Sequence, residues 1–255
     1  MITQQGATNS ASGLGHAWAC AIAGAAAISS IGSLLLFGLF LWLNGFELFD
    51  LNLGWRKAMA WDAGLCAVFF IQHSGMVRKS FRTWLGRAVP SYVHGALYAI
   101  ASAAALLLLL ICWQPSHLDI GNAEGTARWI IRSVFVASLL GFVWGYRSLR
   151  NFDGFGVQAM LSHVRGEQPP ANPFSVSGPY RWVRHPFYLS GIIAIWACPM
   201  LSGDRLLFDV LWTAWIVIGA KLEERDLAAA FGEPYRLYQS KVPMLVPWPS
   251  RRVER

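Results

Sequence analysis

Charged residues are scarce in this chain, and their scarcity excludes an ordinary soluble domain. Only 14% of the 255 residues are Asp, Glu, Lys or Arg, whereas 55% are hydrophobic. Several apolar runs approach the roughly 20 residues that cross a bilayer as a helix, and a soluble domain of this length has no need of them. The composition therefore indicates a membrane protein.

Several motifs of soluble enzymes and metalloproteins are also missing. The sequence has no Gly-x-Gly-x-x-Gly turn and no alternation of strands with helices, so a dinucleotide-binding sheet is not expected. Its four cysteines lie in apolar runs without Cys-x-x-Cys pairing, and its six histidines form no His-x-x-x-His pattern. We expect no metal and no disulfide framework, and we interpret the cysteines as small packed apolar residues. No nucleic-acid-binding module is recognised.

The apolar runs that are present predict an all-α integral membrane protein. Two shorter runs, 187–202 and 206–220, are separated by Gly203, Asp204 and Arg205 and predict a short C-terminal helical hairpin. We expect a four-helix membrane region in 1–150 and a cofactor-binding catalytic region in 151–255, joined in one integrated domain. The four expected spanning helices cover residues 17–43, 58–77, 92–113 and 128–146.

The distribution of basic residues predicts the orientation. The segments 78–91, 147–185 and 221–255 together hold 16 of the 21 Lys and Arg residues. Because basic residues accumulate on the cytoplasmic side, these segments are expected there. We thus expect a multi-pass protein of the bacterial inner membrane, with its catalytic loop and C-terminus in the cytoplasm. The net charge of +7 then indicates contact with anionic lipid headgroups of the bilayer rather than with nucleic acid.

Ionisable side chains at the edges of the last two apolar runs are the first candidates for a site. Arg184 and His185 precede Pro186, which suits the first turn of the next helix, and Glu223 and Glu224 follow the last run. Such groups complement a ligand that carries both a carboxylate and a cationic group. The alternative is that interfacial Arg and Glu side chains pair with each other.

Two further helices carry polar candidates. In the predicted surface helix 155–164, Gln158 is the expected inward-facing polar residue. In the second spanning helix, Asp62 and His73 are 11 residues apart and share one inward stripe, because 11 residues complete about three turns. Asp62 alternatively bonds to a neighbouring helix for packing, and His73 alternatively lies at the interface without a catalytic role.

The C-terminal motifs GPYRWVRHPFYLSG and LEERDLAAAFGEPYRLYQSKVP resemble the isoprenylcysteine carboxyl methyltransferase superfamily. Both motifs match in order and spacing. The resemblance implies a helical membrane enzyme that binds S-adenosylmethionine in a pocket closed by the C-terminal segment. It implies catalytic roles for Arg184 and Glu224, which also line the cofactor pocket. The remaining residues implied for that pocket are Tyr180, His185, Tyr188 and Glu223, with Tyr235 and Tyr238 on the closing segment.

The element FFIQHSGMVRKSFRTWLGRAVP, from residue 69 to 90, resembles more narrowly the bacterial methanethiol S-methyltransferase and NnrU-like branch. In that branch a helix ends in a QHS-x-M motif and leads to a W-x-x-x-VP turn. The chain departs from the branch at His94 and Gly95, where an acidic and a basic residue are expected before the tyrosine.

The resemblance implies methyl transfer from S-adenosylmethionine to a small volatile thiol, methanethiol or hydrogen sulfide, giving a thioether such as dimethyl sulfide. A thiol with a pKa of about 8.5 is only slightly ionised at neutral pH, so we expect His73 to assist its deprotonation. The alternatives are a prenylcysteine carboxyl methyltransferase and a non-enzymatic NnrU-like membrane factor.

Overall fold

The computed structural model describes residues 3–149, 152–168 and 173–247, with side chains from residue 15 onward. In these ranges the regular secondary structure is almost entirely helical, as predicted. Two 3₁₀ turns, Ser91–Val93 and Gly178–Arg181, complete the helical structure. In chain order the elements are α1 (Thr3–Leu43), α2 (Trp55–Val77), α3 (Lys79–Leu85), α4 (His94–Cys112), β1 (Asp119–Asn122), α5 (Gly125–Ser148), α6 (Val157–Arg165), α7 (Pro186–Trp196), β2 (Met200–Ser202), α8 (Gly203–Phe231) and α9 (Glu233–Lys241).

Three described helical stretches are long and apolar enough to cross a membrane: Gly15–Leu43, Ser91–Cys112 and Gly125–Ser148. The protein is therefore an all-α membrane protein. The fourth expected span corresponds to α2, which forms a 23-residue helix but includes Arg56 and Asp62. α2 is not among these three stretches, so the crossing of the membrane by α2 stays a prediction.

The C-terminal hairpin is longer than the sequence suggested. Its second helix, α8, has 29 residues and is therefore about 43 Å long at 1.5 Å per residue. Gly203, Asp204 and Arg205, which interrupt the apolar pattern, form its first turn. The Ser202 hydroxyl accepts a hydrogen bond from the Arg205 backbone N–H at 3.4 Å, as an N-cap residue does.

The chain divides into two compact units, each assembled from three separate stretches. Unit 1 comprises Met1–Leu39, Ala67–Ile111 and Asp153–Ala171, and unit 2 comprises Phe40–Cys66, Cys112–Phe152 and Asn172–Arg255. The unit boundaries fall inside α1 and α2. These interleaved stretches do not correspond to the expected regions 1–150 and 151–255. That division of the chain stays a prediction.

Small residues form the core of unit 1. Alanines of α1 and α4 pack with Met160 of α6, and small side chains let membrane helices approach closely. The contact between α4 and α6 is closest at two glycines, where a Cβ on Gly95 would lie 2.7 Å from the Cα of Gly156. The buried alanines are Ala19, Ala23, Ala26, Ala96 and Ala99.

In unit 2, α7 packs along α5 and the two strands pair at one end of α5. Gly145, near the end of α5, lies against Phe187 at the start of α7. β1, which precedes α5, pairs antiparallel with β2, which follows α7. The segment 186–202 therefore runs from one end of α5 to the other.

Buried ionisable side chains form hydrogen bonds at the end of unit 2 that contains β1 and β2. Asp204 accepts hydrogen bonds from Ser116 Oγ at 2.6 Å and from Trp113 Nε1 at 3.2 Å. Arg205 Nε donates to Asp209 Oδ1 at 2.9 Å. Asp62 is fully buried, and its Oδ1 accepts from the Gln114 backbone N–H at 3.0 Å. Asp62 thus bonds to the backbone of the loop that follows α4, which agrees with a packing role although the partner is not itself in a helix.

Candidate active site

The linker before α7 is fixed to the end of α5. Ser177 Oγ donates to the Ser148 carbonyl oxygen at 2.8 Å. Gly178 has a φ of +54°, and a Cβ there would lie 2.3 Å from Ser148 Oγ, so this position requires glycine. The 3₁₀ turn that follows carries Tyr180 and leads directly to Arg184.

Arg184 is bonded to two elements of the C-terminal segment. Its Nε donates to Glu224 Oε1 of α8 at 2.5 Å. Its Nη1 donates to the carbonyl oxygens of Gln239, at 2.9 Å, and of Val242. Arg184 and Glu224 thus pair directly, as the alternative interpretation proposed, and the guanidinium joins α8 to the end of α9.

His185 lies between the two glutamates. Its Nδ1 is 3.8 Å from Glu223 Oε2, and its Nε2 is 3.3 Å from Glu224 Oε1. The ring is buried and stacks on Tyr188, with centroids 5.2 Å apart and planes 7° apart. Tyr188 in turn donates its hydroxyl to Glu223 Oε2 at 2.7 Å.

Glu223 and Glu224 have different environments, because neighbours on a helix point about 100° apart. The side chain of Glu224 is 12% exposed and accepts from Arg184 and from Gln239 Nε2, the latter at 3.3 Å. That of Glu223 is 45% exposed. The result is an accessible carboxylate held by Tyr188 beside a buried histidine.

Aromatic rings of α9 pack on the linker. Phe174 contacts Tyr235 and Tyr238, with centroid distances of 5.7 and 5.6 Å. The Tyr238 hydroxyl donates to the Tyr180 carbonyl oxygen at 2.5 Å. These contacts fix α9 against the turn that carries Tyr180.

Backbone hydrogen bonds close the site. The Arg184 N–H donates to the Pro243 carbonyl oxygen at 2.9 Å, and the His185 N–H donates to that of Met244 at 3.0 Å. The segment after α9 therefore runs alongside the Arg184–His185 segment and covers it.

Burial and charge set the protonation states of this cluster. Burial lowers the pKa of His185, although Glu223 and Glu224 act in the opposite direction. Burial alone would raise the pKa of Glu224. The hydrogen bond and the charge of Arg184 act in the opposite direction, with smaller contributions from His185 and Gln239. Together they hold the pKa of Glu224 below its ordinary value. At neutral pH the cluster therefore holds a neutral imidazole and an ionised Glu224.

The tyrosines of the cluster remain protonated. Burial raises the pKa of Tyr238 to about 12, and it also raises the pKa values of Tyr180 and Tyr235. Each phenol therefore keeps its proton as a hydrogen-bond donor at neutral pH.

Eight of the ten predicted site residues lie in unit 2, and the contacts above bring them together. The other two, His73 and Gln158, belong to unit 1. Gln158 is exposed, whereas the buried side chains of α6 are Met160 and Ser162, so the expected inward orientation of Gln158 is wrong. His73 is half-buried, and the Tyr98 hydroxyl lies 2.6 Å from its Nε2.

Three contributors were absent from the sequence prediction. Gln239 bonds Glu224 through its side chain, Phe174 supports the tyrosines, and Tyr98 contacts His73. Phe174 and Gln239 have no distinctive sequence pattern, because their roles depend on how α9 folds back. Tyr98 could have been found, since it is one of the few polar residues of the apolar helix that follows the QHS-x-M motif.

Comparison with known proteins agrees with these motifs. The model of the NnrU protein family matches residues 63–232. The chain is 39% identical to methanethiol S-methyltransferase of Pseudomonas sp. (strain GM41(2012)) over 78% of each chain. It is 36% identical to the enzyme of the same name from Mycobacterium tuberculosis (strain ATCC 25618 / H37Rv), over 76% of this chain and 80% of the relative. Nurim of Sus scrofa is 28% identical over 70% of this chain and 74% of its own length. No solved structure matches.

Proposed function

Because this chain belongs to the NnrU protein family, whose similar members include several methanethiol S-methyltransferases, we propose that it is a membrane thiol S-methyltransferase. Its acceptor is a small volatile thiol, methanethiol or hydrogen sulfide, and its methyl donor is S-adenosylmethionine. The products from methanethiol are dimethyl sulfide, S-adenosylhomocysteine and a proton.

The observation that carries this proposal is the accessible carboxylate of Glu223. It is held at 2.7 Å by the Tyr188 hydroxyl and lies beside the stacked rings of His185 and Tyr188. A partly exposed carboxylate next to aromatic faces suits a cationic ligand group, and S-adenosylmethionine has both an ammonium and a sulfonium group. The cluster therefore fits the donor.

The residues around Glu223 have separate tasks in this proposal. Glu223 binds the cationic part of the donor, whereas Glu224 neutralises Arg184 and fixes the segment that carries His185. Tyr235 and Tyr238 hold α9 on the linker, which keeps water away from the donor. S-adenosylmethionine supplies an electrophilic methyl group to the thiolate. The assistance of His73 in forming this thiolate stays a prediction, because His73 belongs to unit 1 and the cluster to unit 2.

The test is methyl transfer by the purified protein in detergent. We expect dimethyl sulfide from methanethiol and S-adenosylmethionine, detected by gas chromatography, and binding of S-adenosylhomocysteine in a calorimetric titration. Glu223→Ala should weaken binding of S-adenosylmethionine about tenfold or more, because one hydrogen bond to a charged group contributes on the order of 1.5 to 3 kcal/mol. The matched control is Glu233→Ala, an exposed glutamate at the start of α9.

Three results would contradict parts of this proposal. Methylation of a farnesylcysteine analogue but not of methanethiol would show the prenylcysteine alternative. The absence of binding of either adenosyl compound would favour a non-enzymatic membrane factor. Equal affinity of Glu223→Ala and wild type for S-adenosylmethionine would refute the proposed donor site. The product assay would then decide the activity separately.

A further inference from the structure

α3 is a short helix whose side chains are not buried in the protein. It has seven residues, Lys79–Leu85, and each of them is exposed or half-buried. An isolated helix of fewer than about 12 residues is barely stable in water, because most helical stability in proteins comes from the packing of an apolar face. The contacts of the described residues therefore do not explain why α3 is helical, and a surface outside the chain is needed to cover it.

The apolar and basic residues of α3 lie on different sides of the helix. Phe81, Trp84 and Leu85 share an arc of about 100° around the axis. The rings of Phe81 and Trp84 contact each other, with centroids 5.4 Å apart, and Trp84 is 60% exposed. Lys79 and Arg82 point about 160° and about 100° away from Phe81. This is the pattern of a helix that lies flat in a membrane surface.

The C-terminal end of α3 lies at the edge of a membrane-crossing helix. The apolar stretch Ser91–Cys112, which is long enough to cross a bilayer, begins shortly after α3 ends. Gly86, which caps α3, lies against the first residue of α4, since a Cβ on Gly86 would be 3.6 Å from His94 Cε1. α3 is thus held at the level where a bilayer meets water. Tryptophan is enriched at that level in membrane proteins, and α3 exposes Trp84 there.

The segment that contains α3 has a high positive charge. Arg78, Lys79, Arg82 and Arg87 follow one another closely, and the sequence has no Asp or Glu from residue 63 to residue 118. All four basic residues are exposed, and none belongs to the ion pairs found in the described part of the chain. Their charge is therefore available to an anion outside the protein.

A phospholipid with an anionic headgroup complements both sides of α3. Its phosphodiester group accepts hydrogen bonds from Lys and Arg side chains, and its acyl chains provide an apolar environment for Phe81 and Trp84. An acidic protein partner would neutralise the basic side chains, but it would leave the aromatic rings without that environment. The charge and the aromatic face together therefore favour a lipid.

We propose that α3 and the arginines on either side of it, Arg78 and Arg87, form a binding site for anionic phospholipids such as phosphatidylglycerol. The helix lies along the bilayer surface with Phe81 and Trp84 among the acyl chains, and the basic side chains bind the headgroups. This site belongs to unit 1 and does not depend on the proposed methyl transfer, whose donor cluster is in unit 2.

The first experiment titrates the full-length protein in neutral detergent with pyrene-labelled phospholipids and follows energy transfer from its tryptophans. Wild type should bind phosphatidylglycerol about tenfold or more tightly than phosphatidylcholine. That preference should disappear in 1 M salt, because the Debye length is then about 3 Å. The triple variant Arg78→Gln, Lys79→Gln, Arg82→Gln should bind phosphatidylglycerol about 100-fold more weakly, since each basic residue near an anionic surface contributes about fivefold.

Two variants control for effects on structure. Arg78→Lys with Arg82→Lys keeps the charge and should bind phosphatidylglycerol with wild-type affinity. The triple variant Arg225→Gln, Arg236→Gln, Lys241→Gln removes the same charge from exposed positions of α8 and α9 and should also keep wild-type affinity.

Four results of the titration would overturn the lipid site. One is equal affinity of the first triple variant and wild type for phosphatidylglycerol. Another is equal affinity of wild type for the two phospholipids. Displacement of phosphatidylglycerol by an equimolar amount of polyglutamate would show a site for an acidic protein. Displacement by an equimolar amount of glycerol 3-phosphate would show a site for soluble phosphates.

The second experiment leaves all basic residues in place and tests whether α3 lies on the bilayer. In a variant without the four native cysteines, a nitroxide label is attached to Thr83→Cys or to Trp84→Cys, positions about 100° apart on α3. In nanodiscs that contain phosphatidylglycerol, the label at 84 should collide mainly with oxygen, which concentrates among acyl chains. The label at 83 should collide mainly with a water-soluble nickel complex. Equal accessibility at the two positions would refute the proposed orientation of α3.

Discussion

Adjacent glutamates on α8 show how a rotation of about 100° around the helix axis separates a structural charge from an accessible one. Glu224 pairs with Arg184 at 2.5 Å and is nearly buried, whereas Glu223 is 45% exposed and bonded to Tyr188. Breaking a buried pair leaves an uncompensated charge, so Glu224 is expected to matter for folding of the cluster. Glu223 has fewer protein partners and is the better candidate for a ligand contact.

Glu224 and His185 predict a loss of stability in acid. Each has a pKa below its ordinary value, which is 4.5 for the carboxyl and 6.5 for the imidazole. Their contributions are therefore complete above those values and are lost as the pH falls, first for His185 below 6.5 and then for Glu224 below 4.5. The melting temperature of the wild type in detergent should fall across both windows.

Comparison with Glu224→Gln isolates the carboxyl group. This variant should melt at a lower temperature than wild type at pH 7. The difference in melting temperature should narrow as the pH falls below 4.5, because the Glu224 carboxyl is protonated first in the unfolded chain and then, at its lower pKa, in the folded protein. The control Glu233→Gln should follow the wild-type curve. A difference in melting temperature between Glu224→Gln and wild type that stays constant from pH 7 to pH 4 would contradict a lowered pKa for Glu224.

At the scale of elements, the contact of α4 with α6 explains an unusual pair in the sequence. His94 and Gly95 replace the acidic and basic residues expected from related proteins. His94 is buried and bonded through Nε2 to the Val89 carbonyl oxygen at 2.9 Å, and Gly95 lies against Gly156. A side chain at 95 would meet the backbone of Gly156, which has a φ of +70°. In this chain the position therefore serves packing.

Gly95→Ala should accordingly destabilise unit 1. The new Cβ would lie 2.7 Å from the Gly156 Cα, and overpacking of this kind typically costs about 1 to 3 kcal/mol. We expect a lower midpoint of denaturation in detergent. Gly24→Ala in α1 is the control, because no atom lies within 4 Å of the Cβ added there. Equal midpoints for Gly95→Ala and wild type would disprove the close contact.

The sequence predicts helices better than it predicts what they contact. Apolar runs and basic segments suffice to locate the spans, since both reflect the bilayer itself. They do not locate the end of α8, because Lys221 ends the apolar run while the helix continues to Phe231. The ten-residue amphipathic segment 155–164 predicts that Gln158 faces inward, whereas Met160 takes the buried position. Short helices have too few residues for periodicity to fix the buried face.

The residues of the candidate site were predictable as a motif but not as an arrangement. Arg184, His185, Glu223 and Glu224 were identified from their spacing and from resemblance. Their direct pairing depends on the return of the chain after α9, where Pro243 and Met244 bond the Arg184–His185 backbone. Contacts between segments about 60 residues apart leave no local pattern in a sequence.

At the scale of the whole molecule, contacts within unit 2 agree with the grouping of segments by side that the basic residues predict, whichever side is the cytoplasm. β1 and β2 come from two segments assigned to the non-cytoplasmic side, and they pair with each other. Ser177 bonds Ser148, and Arg184 bonds Pro243, with all four residues assigned to the cytoplasm. At each end of unit 2, the segments in contact are therefore predicted to lie on the same side of the membrane.

Cysteine labelling in intact bacterial cells tests this orientation. In a variant without the four native cysteines, Ser177→Cys should react with an impermeant maleimide only after the inner membrane is opened. Gly121→Cys should react from outside, because Gly121 is exposed in β1 and five basic residues lie on that side against 16 on the other. Labelling of Ser177→Cys in cells with an intact inner membrane would reverse the topology.

The pairing of β1 with β2 also sets an order for biosynthesis. β1 leaves the ribosome before α5, whereas β2 follows α7, so the two strands can pair only after residues 119–202 have all been translated. The hydrogen bonds from Ser116 and Trp113 to Asp204 likewise form only after Asp204 has been translated. A ribosome stalled before residue 200 would hold α5 in the membrane with β1 separated from its partner strand. Synthesis of the first turn of α8, which carries Asp204, is thus the step that completes this end of unit 2.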